Sequence, residues 1–225
     1  MATAYALADA FAWADPWLQP WFTLWGVPFS SLEGVACALS LAMVVLNFRV
    51  HPLAWPLAIA SSLLYGVVFA RYRLYGEAAL QLVFVALSLW GWTQWLWGRD
   101  GQQAPLRVRS LSVAGRRQAL AVFALLWPAL GLLLDRATDS DVPWWDALPT
   151  AGSLVGQWLL ARKWVDNWPC WVAVNVASVA LFAHKGLWLT VGLYAVFAVL
   201  SVWGWRAWAQ LARRSPAAPA GEAGA

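Results

Sequence analysis

Seven polar or aromatic side chains lie within long apolar stretches and have the chemistry of a ligand site. They are Gln81, Trp90, Gln157, Trp168, Trp171, Asn175 and Tyr194. Amides hydrogen-bond to carboxamide or hydroxyl groups of a solute, and indole rings stack on flat or cationic rings. Because a polar group in an apolar environment needs a partner or a function, we predict that these residues bind substrate. The alternative for Gln157 and Asn175 is hydrogen bonding between helices.

Spacing along one predicted helix places two of the indoles beside an amide. Trp168 and Trp171 are three positions apart and Asn175 follows Trp171 at i+4, so the three share one helical face. Binding and packing are both open as roles for these indoles. Other tryptophans lie near the ends of apolar stretches, which is typical of an interfacial aromatic belt: Trp13, Trp17, Trp95, Trp97, Trp144, Trp145 and Trp208.

The sequence lacks the parts of a catalytic or metal site. It contains no GxxxxGK[ST], HExxH or CxxC pattern, and His51 and His184 lie at the ends of apolar stretches. The middle of these stretches contains no carboxylate, so proton coupling has no obvious relay. We therefore predict a protein that is not an enzyme, uses no cofactor or metal, and works by facilitated diffusion.

The composition indicates an all-α membrane protein. Of the 225 residues, 62% are hydrophobic and 12% charged, whereas soluble domains carry about 25% charged residues. The apolar residues form long runs and not the alternating pattern of a transmembrane barrel. The net charge of +4 does not indicate nucleic-acid binding, because most of the basic residues fall on one face of the membrane in the topology predicted below. The lipid bilayer is the expected environment.

Seven stretches are long enough to cross a bilayer, which takes roughly 20 mainly apolar residues. They cover about residues 30–48, 53–70, 74–97, 118–134, 147–163, 168–184 and 187–209. Residues 1–29 contain prolines and regularly spaced tryptophans, and we expect an interfacial segment there and no cleaved signal peptide. The Pro/Ala/Gly-rich residues 211–225 are expected to form a disordered cytoplasmic tail.

The basic residues orient the predicted spans. One face carries eleven: Arg49, Arg99, Arg107, Arg109, Arg116, Arg117, Arg162, Lys163, Arg206, Arg213 and Arg214. The opposite face carries four: Arg71, Arg73, Arg136 and Lys185. Since positively charged loops remain in the cytoplasm, we predict an N-terminus on the outer side of the membrane and a cytoplasmic C-terminus.

An internal repeat divides the helical region. At a constant separation of 113 positions, Trp55-Pro56 corresponds to Trp168-Pro169, and Ser88-x-Trp90-Gly91-Trp92-x-x-Trp95 corresponds to Ser201-x-Trp203-Gly204-Trp205-x-x-Trp208. We interpret residues 30–97 and 147–210 as three-helix repeats, joined by residues 98–146, which would hold a cytoplasmic loop, a linker helix and an external loop. The single linker helix makes the repeats parallel. This is a 3+1+3, SWEET-like plan, with its site near the midplane between the repeats.

The two repeats differ at the candidate site. Gln157, Asn175 and Tyr194 stand where the first repeat has Val44, Ser62 and Gln81. Symmetric packing does not require such a difference, whereas a site for an asymmetric solute bearing amides or hydroxyls does.

Ten short motifs are spread along the helical region. They are Glu33-Gly34, Asn47-Phe48-Arg49, Trp55-Pro56, Leu74-Tyr75-Gly76-Glu77, Leu80-Gln81, Gly91-Trp92-x-x-Trp95, Gln157-Trp158-Leu159-x-x-Arg162-Lys163, Trp168-x-x-Trp171, Lys185-Gly186-Leu187 and Leu193-Tyr194. Their order and spacing, over about residues 31–210, resemble those of the PnuC nicotinamide riboside transporter family. The resemblance implies a seven-helix carrier of vitamin-like solutes in the bacterial inner membrane, without energy coupling. It also implies trapping by intracellular phosphorylation, which feeds NAD synthesis, and assembly into homo-oligomers.

The resemblance also implies roles for the candidate residues. It places the Trp168-x-x-Trp171 motif, Asn175 and Gln157 in the binding site, with Tyr194, Gln81 and Trp90 as further candidates. Since the amides suit a carboxamide, nicotinamide riboside is the predicted substrate. Thiamine or riboflavin, which relatives carry, are alternative substrates. A membrane scaffold protein that transports nothing is the alternative from another class.

Overall fold

Seven long α-helices follow one another within the part of the chain that the computed structural model describes, which is residues 11–24, 26–71, 75–101, 103–137, 142–184, 186 and 188–214. Their bounds are α1 Ser31–Phe48, α2 Ala54–Arg71, α3 Tyr75–Trp97, α4 Val113–Ala137, α5 Pro143–Ala161, α6 Asn167–His184 and α7 Trp188–Arg214. Predictions for residues 1–10, Arg73, Leu74, Lys185, Leu187 and the tail beyond Arg214 lie outside the described residues.

Each predicted span coincides with a helix, but several ends differ. α4 begins at Val113 and α7 continues to Arg214, because a helix runs past its apolar stretch where arginine side chains reach water. α5 begins at Pro143, inside the stretch predicted as an external loop, and proline suits the first turn of a helix. Among the described helices, five are long and apolar enough to cross a membrane: α1, α2, α3, α4 and α7.

The N-terminal segment contains a β-hairpin that its tryptophan spacing did not predict. After a 3-10 turn at Ala12–Ala14 and a short helix at Asp15–Leu18, strands β1 (Pro20–Leu24) and β2 (Val27–Ser30) pair in antiparallel fashion. The carboxylate of Asp15 pairs with the guanidinium of Arg71 at 2.5 Å, which joins this segment to the end of α2.

The helices pack as two three-helix units, unit 1 (α1–α3) and unit 2 (α5–α7). The middle helix of each unit, α2 or α6, contacts both of its neighbours. Between the units, α1 contacts α7 and α3 contacts α5, so the first helix of each unit meets the last helix of the other. α4 packs on α5, where Trp144 lies against Gly131.

Helices α1 and α5 end in two turns of the same type, which lie 113 positions apart in the sequence. Val50 and Lys163 both have a left-handed backbone, with φ of 54° and 56°. In both turns the N–H of the following residue donates at 3.0 Å to the carbonyl five positions earlier, which is a Schellman motif. Each turn reverses the chain direction, so that α1 leads into α2 and α5 leads into α6.

Each unit buries a tryptophan against a glycine. Trp55 of α2 lies on Gly91 of α3, and Trp168 of α6 lies on Gly204 of α7. A Cβ at Gly91 or Gly204 would come within 2.2 or 2.4 Å of the indole ring. Strings that correspond in sequence therefore make corresponding contacts in the structure, and neither glycine leaves room for a side chain.

Two buried indoles join the units to each other. Trp95 of α3 donates its Nε1–H to the carbonyl of Leu160 in α5 at 3.1 Å, and Trp208 of α7 donates to the carbonyl of Asn47 in α1 at 2.8 Å. The two donor tryptophans lie 113 positions apart, and so do the two acceptor residues. We call these two hydrogen bonds the reciprocal indole bonds. Trp95 is 6% exposed and Trp208 is 0% exposed. The prediction that these two belong to an interfacial belt is wrong, because each turns inward towards the other unit.

Replacing Trp208 with phenylalanine should lower the free energy of unfolding by about 1–2 kcal/mol, because the buried hydrogen bond that joins α7 to the Asn47 carbonyl is lost, although the Val50 N–H, at 3.1 Å, still donates to it. Trp203→Phe is the matched control, because the Trp203 indole is 56% exposed. Thermal melting of the detergent-solubilised protein measures both variants. Equal melting temperatures for the two variants would contradict a structural role for the Trp208 hydrogen bond.

Candidate functional site

Two amide–hydroxyl pairs are buried between helices. The Nε2 group of Gln157 donates to Ser88 Oγ at 3.3 Å, and the Nδ2 group of Asn175 donates to Ser201 Oγ at 3.2 Å. All four side chains are at most 8% exposed. Ser88 and Ser201 occupy equivalent positions of the two repeats, so each amide binds an equivalent hydroxyl.

The two amides reach these serines from different places. Gln157 lies on α5 and crosses from unit 2 to Ser88 of unit 1, whereas Asn175 lies on α6 and binds Ser201 within unit 2. Asn175 is at the centre of α6, which runs from Asn167 to His184. The network is thus uncharged and asymmetric, and it offers donors and acceptors that suit a carboxamide or a hydroxyl.

Trp168 belongs to a buried aromatic cluster with Trp55, Trp95 and Trp208, and the partly buried Trp90 packs against this cluster. The rings of Trp168 and Trp208 are 5.6 Å apart and nearly perpendicular. The Nε1 atoms of Trp55 and Trp168 are buried and have no hydrogen-bond partner among the described residues. An unpaired buried donor is costly, which leaves each of these indoles able to gain from a new acceptor.

Trp168, Trp171 and Asn175 were predicted to share one face of α6, but they contact two different helices. Trp168 and Asn175 face α7 through Gly204 and Ser201. Trp171 instead packs on Gly156 of α5, where a Cβ would lie 3.2 Å from the indole Cε2. Because Gly156 directly precedes Gln157, the Trp171 ring and the Gln157 amide lie at nearly the same level of α5.

Tyr194 and Gln81 occupy equivalent positions nearer the opposite end of the units. The Tyr194 ring contacts Phe182 and Phe197, with centroids 5.1 and 6.2 Å apart. Gln81 lies beside Gly66 of α2, since a Cβ at Gly66 would be 3.6 Å from that of Gln81. The structure therefore distributes the seven predicted residues along the helix interfaces and does not gather them around one point.

The seven predicted site residues did not include their own partners. Ser88 and Ser201, which accept from the amides, and Gly91 and Gly204, which receive the indoles, were not among the seven. The signal was present, since the repeated string Ser-x-Trp-Gly-Trp holds both the serine and the glycine of each unit. Within the described residues, no group of three or more His, Cys, Asp or Glu could hold a metal ion.

These long apolar helices, with uncharged polar side chains buried between them, indicate a multi-pass membrane protein. Residues 30–210 match the model of the family described as nicotinamide mononucleotide transporter. The chain belongs to this family, which confirms the resemblance to PnuC proteins.

Individual relatives extend the comparison. The chain is 30% identical over 174 residues to the nicotinamide riboside transporter PnuC of Escherichia coli, covering 67% of this chain and 73% of that protein. It is 32% identical over 179 residues to the riboflavin/roseoflavin transporter RibM of Streptomyces davaonensis, covering 78% and 83%. A solved structure, described as the crystal structure of the vitamin B3 transporter PnuC, has the same fold, with a TM-score of 0.69 at 20% identity over 95% of this chain and 91% of that one. These proteins are transporters and not enzymes.

Proposed function

We propose that the chain carries nicotinamide riboside passively across the bacterial inner membrane. The observation that carries this proposal is the Gln157–Ser88 hydrogen bond, because it places an uncharged amide at the contact between the two units. The carboxamide of nicotinamide offers an N–H₂ donor and a carbonyl acceptor, and a glutamine or asparagine side chain complements both. Its pyridinium ring is a flat cation, for which stacking on Trp171 or Trp168 requires no acidic partner.

Exchange of hydrogen-bond partners provides a route from the observed structure to a bound state. The Gln157–Ser88 bond joins neutral groups at 3.3 Å, slightly longer than the usual range of about 2.7–3.2 Å, and it contributes no more than about 1 kcal/mol. A substrate carboxamide that replaces Ser88 as the partner of Gln157 would therefore displace little stabilisation. The unpaired Nε1–H of Trp168 is a donor that a ribose hydroxyl could satisfy.

We further propose that the units rock against each other in alternating access. The reciprocal indole bonds fasten the units together at the end where α1, α3, α5 and α7 finish. In this mechanism they are the contacts that close one side of the membrane, and both break when that side opens. Phosphorylation of the delivered substrate in the cell would then prevent its return and feed NAD synthesis.

The proposed membrane arrangement has seven spans in a 3+1+3 order. α5 and α6 have 19 and 18 residues, long enough to cross when packed against other helices, although their polar residues reduce their hydropathy. The contact between Asp15 and Arg71 places the N-terminal segment at the end opposite the reciprocal indole bonds. With the basic residues inside, the N-terminus is periplasmic and the C-terminus cytoplasmic. We also propose that the protein assembles into homo-oligomers, as the family resemblance implies.

Riboflavin is the second candidate substrate, because the similarity to RibM covers more of this chain than the similarity to the Escherichia coli PnuC. Uptake of labelled nicotinamide riboside into proteoliposomes, with excess unlabelled riboflavin or thiamine in parallel samples, distinguishes the candidates. We expect unlabelled nicotinamide riboside to abolish the signal and the other two vitamins to leave it unchanged. Loss of the signal with riboflavin or thiamine would show that this vitamin competes for the same site, and uptake of labelled riboflavin or thiamine with none of nicotinamide riboside would assign the chain to that vitamin.

A further inference from the structure

A groove lined by four basic side chains lies where α1, α5 and α7 end. Its volume is about 520 Å³, and Arg49, Arg107, Lys163 and Arg214 line it. The lining residues that the structure describes include no acid. Asp166, in the turn that follows Lys163, is already engaged by Arg116 at 2.6 Å and by the Leu111 N–H at 2.7 Å. The four cations therefore line a shallow, open groove in which no described carboxylate neutralises them.

The floor of the groove is apolar and well packed. Leu106 and Val108 are 5% and 7% exposed, and Val50 and Leu211 complete the lining. A ligand with a charged group and a flat or aliphatic part fits such a surface, and the volume is within the usual range of about 300–1,000 Å³ for ligand sites.

Hydrogen bonds hold the walls of the groove in place. Arg109 exchanges main-chain bonds with the turn after α5: its N–H donates to the Lys163 carbonyl at 3.2 Å, and its carbonyl accepts from Val165 at 2.9 Å. The ammonium group of Lys163 donates to the Leu106 carbonyl at 3.2 Å. Two of the four lining segments, the loop at Leu106–Val108 and the turn at Lys163, are thus fixed to each other before any ligand arrives, which reduces the entropic cost of binding.

Lys163 is partly buried in the wall of the groove. Burial lowers the pKa of its side chain from the ordinary value, because the ammonium group has lost part of its hydration. An anion in the groove would restore the interactions that water no longer supplies.

We propose that this groove binds the phosphate group of an anionic ligand, whether a free phosphomonoester or the headgroup of an anionic lipid. Several arginine and lysine donors converging on one concavity are the usual recognition chemistry of phosphate. Basic pockets at the cytoplasmic ends of membrane helices bind lipid headgroups by the same interactions. The site is separate from the amide pairs, and the proposal does not depend on which vitamin crosses the membrane.

The test uses the full-length protein in phosphatidylcholine nanodiscs at low ionic strength. Calorimetric titration with AMP, inorganic phosphate and adenosine measures free phosphate binding, and native mass spectrometry after addition of phosphatidylglycerol measures lipid retention. The variant is Arg49→Gln with Arg107→Gln. The matched control is Arg117→Gln with Arg206→Gln, which removes the same charge from two exposed arginines outside the groove.

We expect AMP to bind more tightly than adenosine, and the Arg49/Arg107 variant to raise the Kd for AMP by about ten-fold while the control leaves it unchanged. Retention of phosphatidylglycerol by the wild type and the control, but not by the groove variant, with no affinity for AMP or phosphate, would assign the same site to lipid. Equal losses in both double variants would reduce the effect to overall charge and overturn the proposal. Absence of both AMP and lipid binding would overturn it as well.

Folding of the variants is checked by their melting temperatures. Should the Arg49/Arg107 variant fail to fold, Arg214→Gln gives the same information, because Arg214 is exposed at the last residue of α7. We expect this single substitution to weaken AMP or lipid binding by about three-fold. Unchanged binding in a folded Arg214→Gln protein would contradict the site.

Discussion

Replacing Asn175 with leucine should lower nicotinamide riboside uptake by at least about ten-fold without unfolding the protein. Leucine has a similar volume but lacks the amide that would bind the substrate. The protein is expected to remain folded because Ser201 Oγ keeps its own bond to the Phe197 carbonyl at 2.7 Å. Initial uptake rates in proteoliposomes measure the effect, and the melting temperature reports folding.

Ser62→Ala is the matched control for Asn175, because Ser62 occupies the equivalent position of unit 1. We expect it to change uptake by less than about two-fold, because the proposed site uses the larger amide of unit 2. Wild-type uptake by a folded Asn175→Leu protein would remove Asn175 from the site. Equal losses of uptake in both variants would indicate that the side chains at these two equivalent positions serve helix packing and do not bind substrate.

A second large effect is expected from adding one methyl group to Gly204. Gly204→Ala should lower the free energy of unfolding by about 3 kcal/mol, because its Cβ would lie 2.4 Å from the Trp168 ring, which is 3% exposed. The indole cannot move aside without displacing Trp208, whose ring centroid is 5.6 Å away. Thermal or denaturant unfolding in detergent measures the loss.

Gly192→Ala is the control on the same helix, since a Cβ there has no atom within 4 Å. It should be neutral or slightly stabilising, because alanine favours the helix. Gly91→Ala should resemble Gly204→Ala, because Trp55 lies on Gly91 as Trp168 lies on Gly204. A Gly204→Ala protein as stable as Gly192→Ala would show that the indole–glycine contact is not tight in solution.

The positions of the helices could be predicted because a membrane helix must satisfy its own backbone and present apolar side chains, and both requirements are local. The stretch around Val155 and the stretch around Val174 therefore appeared as separate helices with nearly correct ends. The hairpin at Pro20–Ser30 could not be predicted in the same way, since its register depends on pairing between strands.

The tryptophans show where local reasoning fails. Trp95 lies near the end of α3, as an interfacial tryptophan would, and only the contact with Leu160 of the other unit shows that it is buried. The repeat carried this information in part, because Trp95 and Trp208 occupy equivalent positions in the two strings. Which carbonyl each indole binds depends on how α3 meets α5, and this is a property of the tertiary fold.

The amides could be singled out from the sequence because Gln157 and Asn175 are polar groups at apolar positions of a repeat. Their burial agrees with that reasoning. Their partners differ in kind, since one bond crosses between the units and the other stays within unit 2. The positions of Gln157 and Asn175 in the sequence are compatible with bonding within a unit or between the units, so the sequence alone did not predict which partner each amide has.

Counterflow tests the central claim of passive nicotinamide riboside transport most directly. Proteoliposomes loaded with unlabelled nicotinamide riboside are diluted into labelled substrate, without ATP or an ion gradient and with a protonophore present. We predict transient accumulation of label above its equilibrium level, unaffected by the protonophore and absent from empty liposomes. Accumulation that requires an imposed ion gradient would contradict passive transport. Counterflow of riboflavin or thiamine with none of nicotinamide riboside would contradict the proposed substrate.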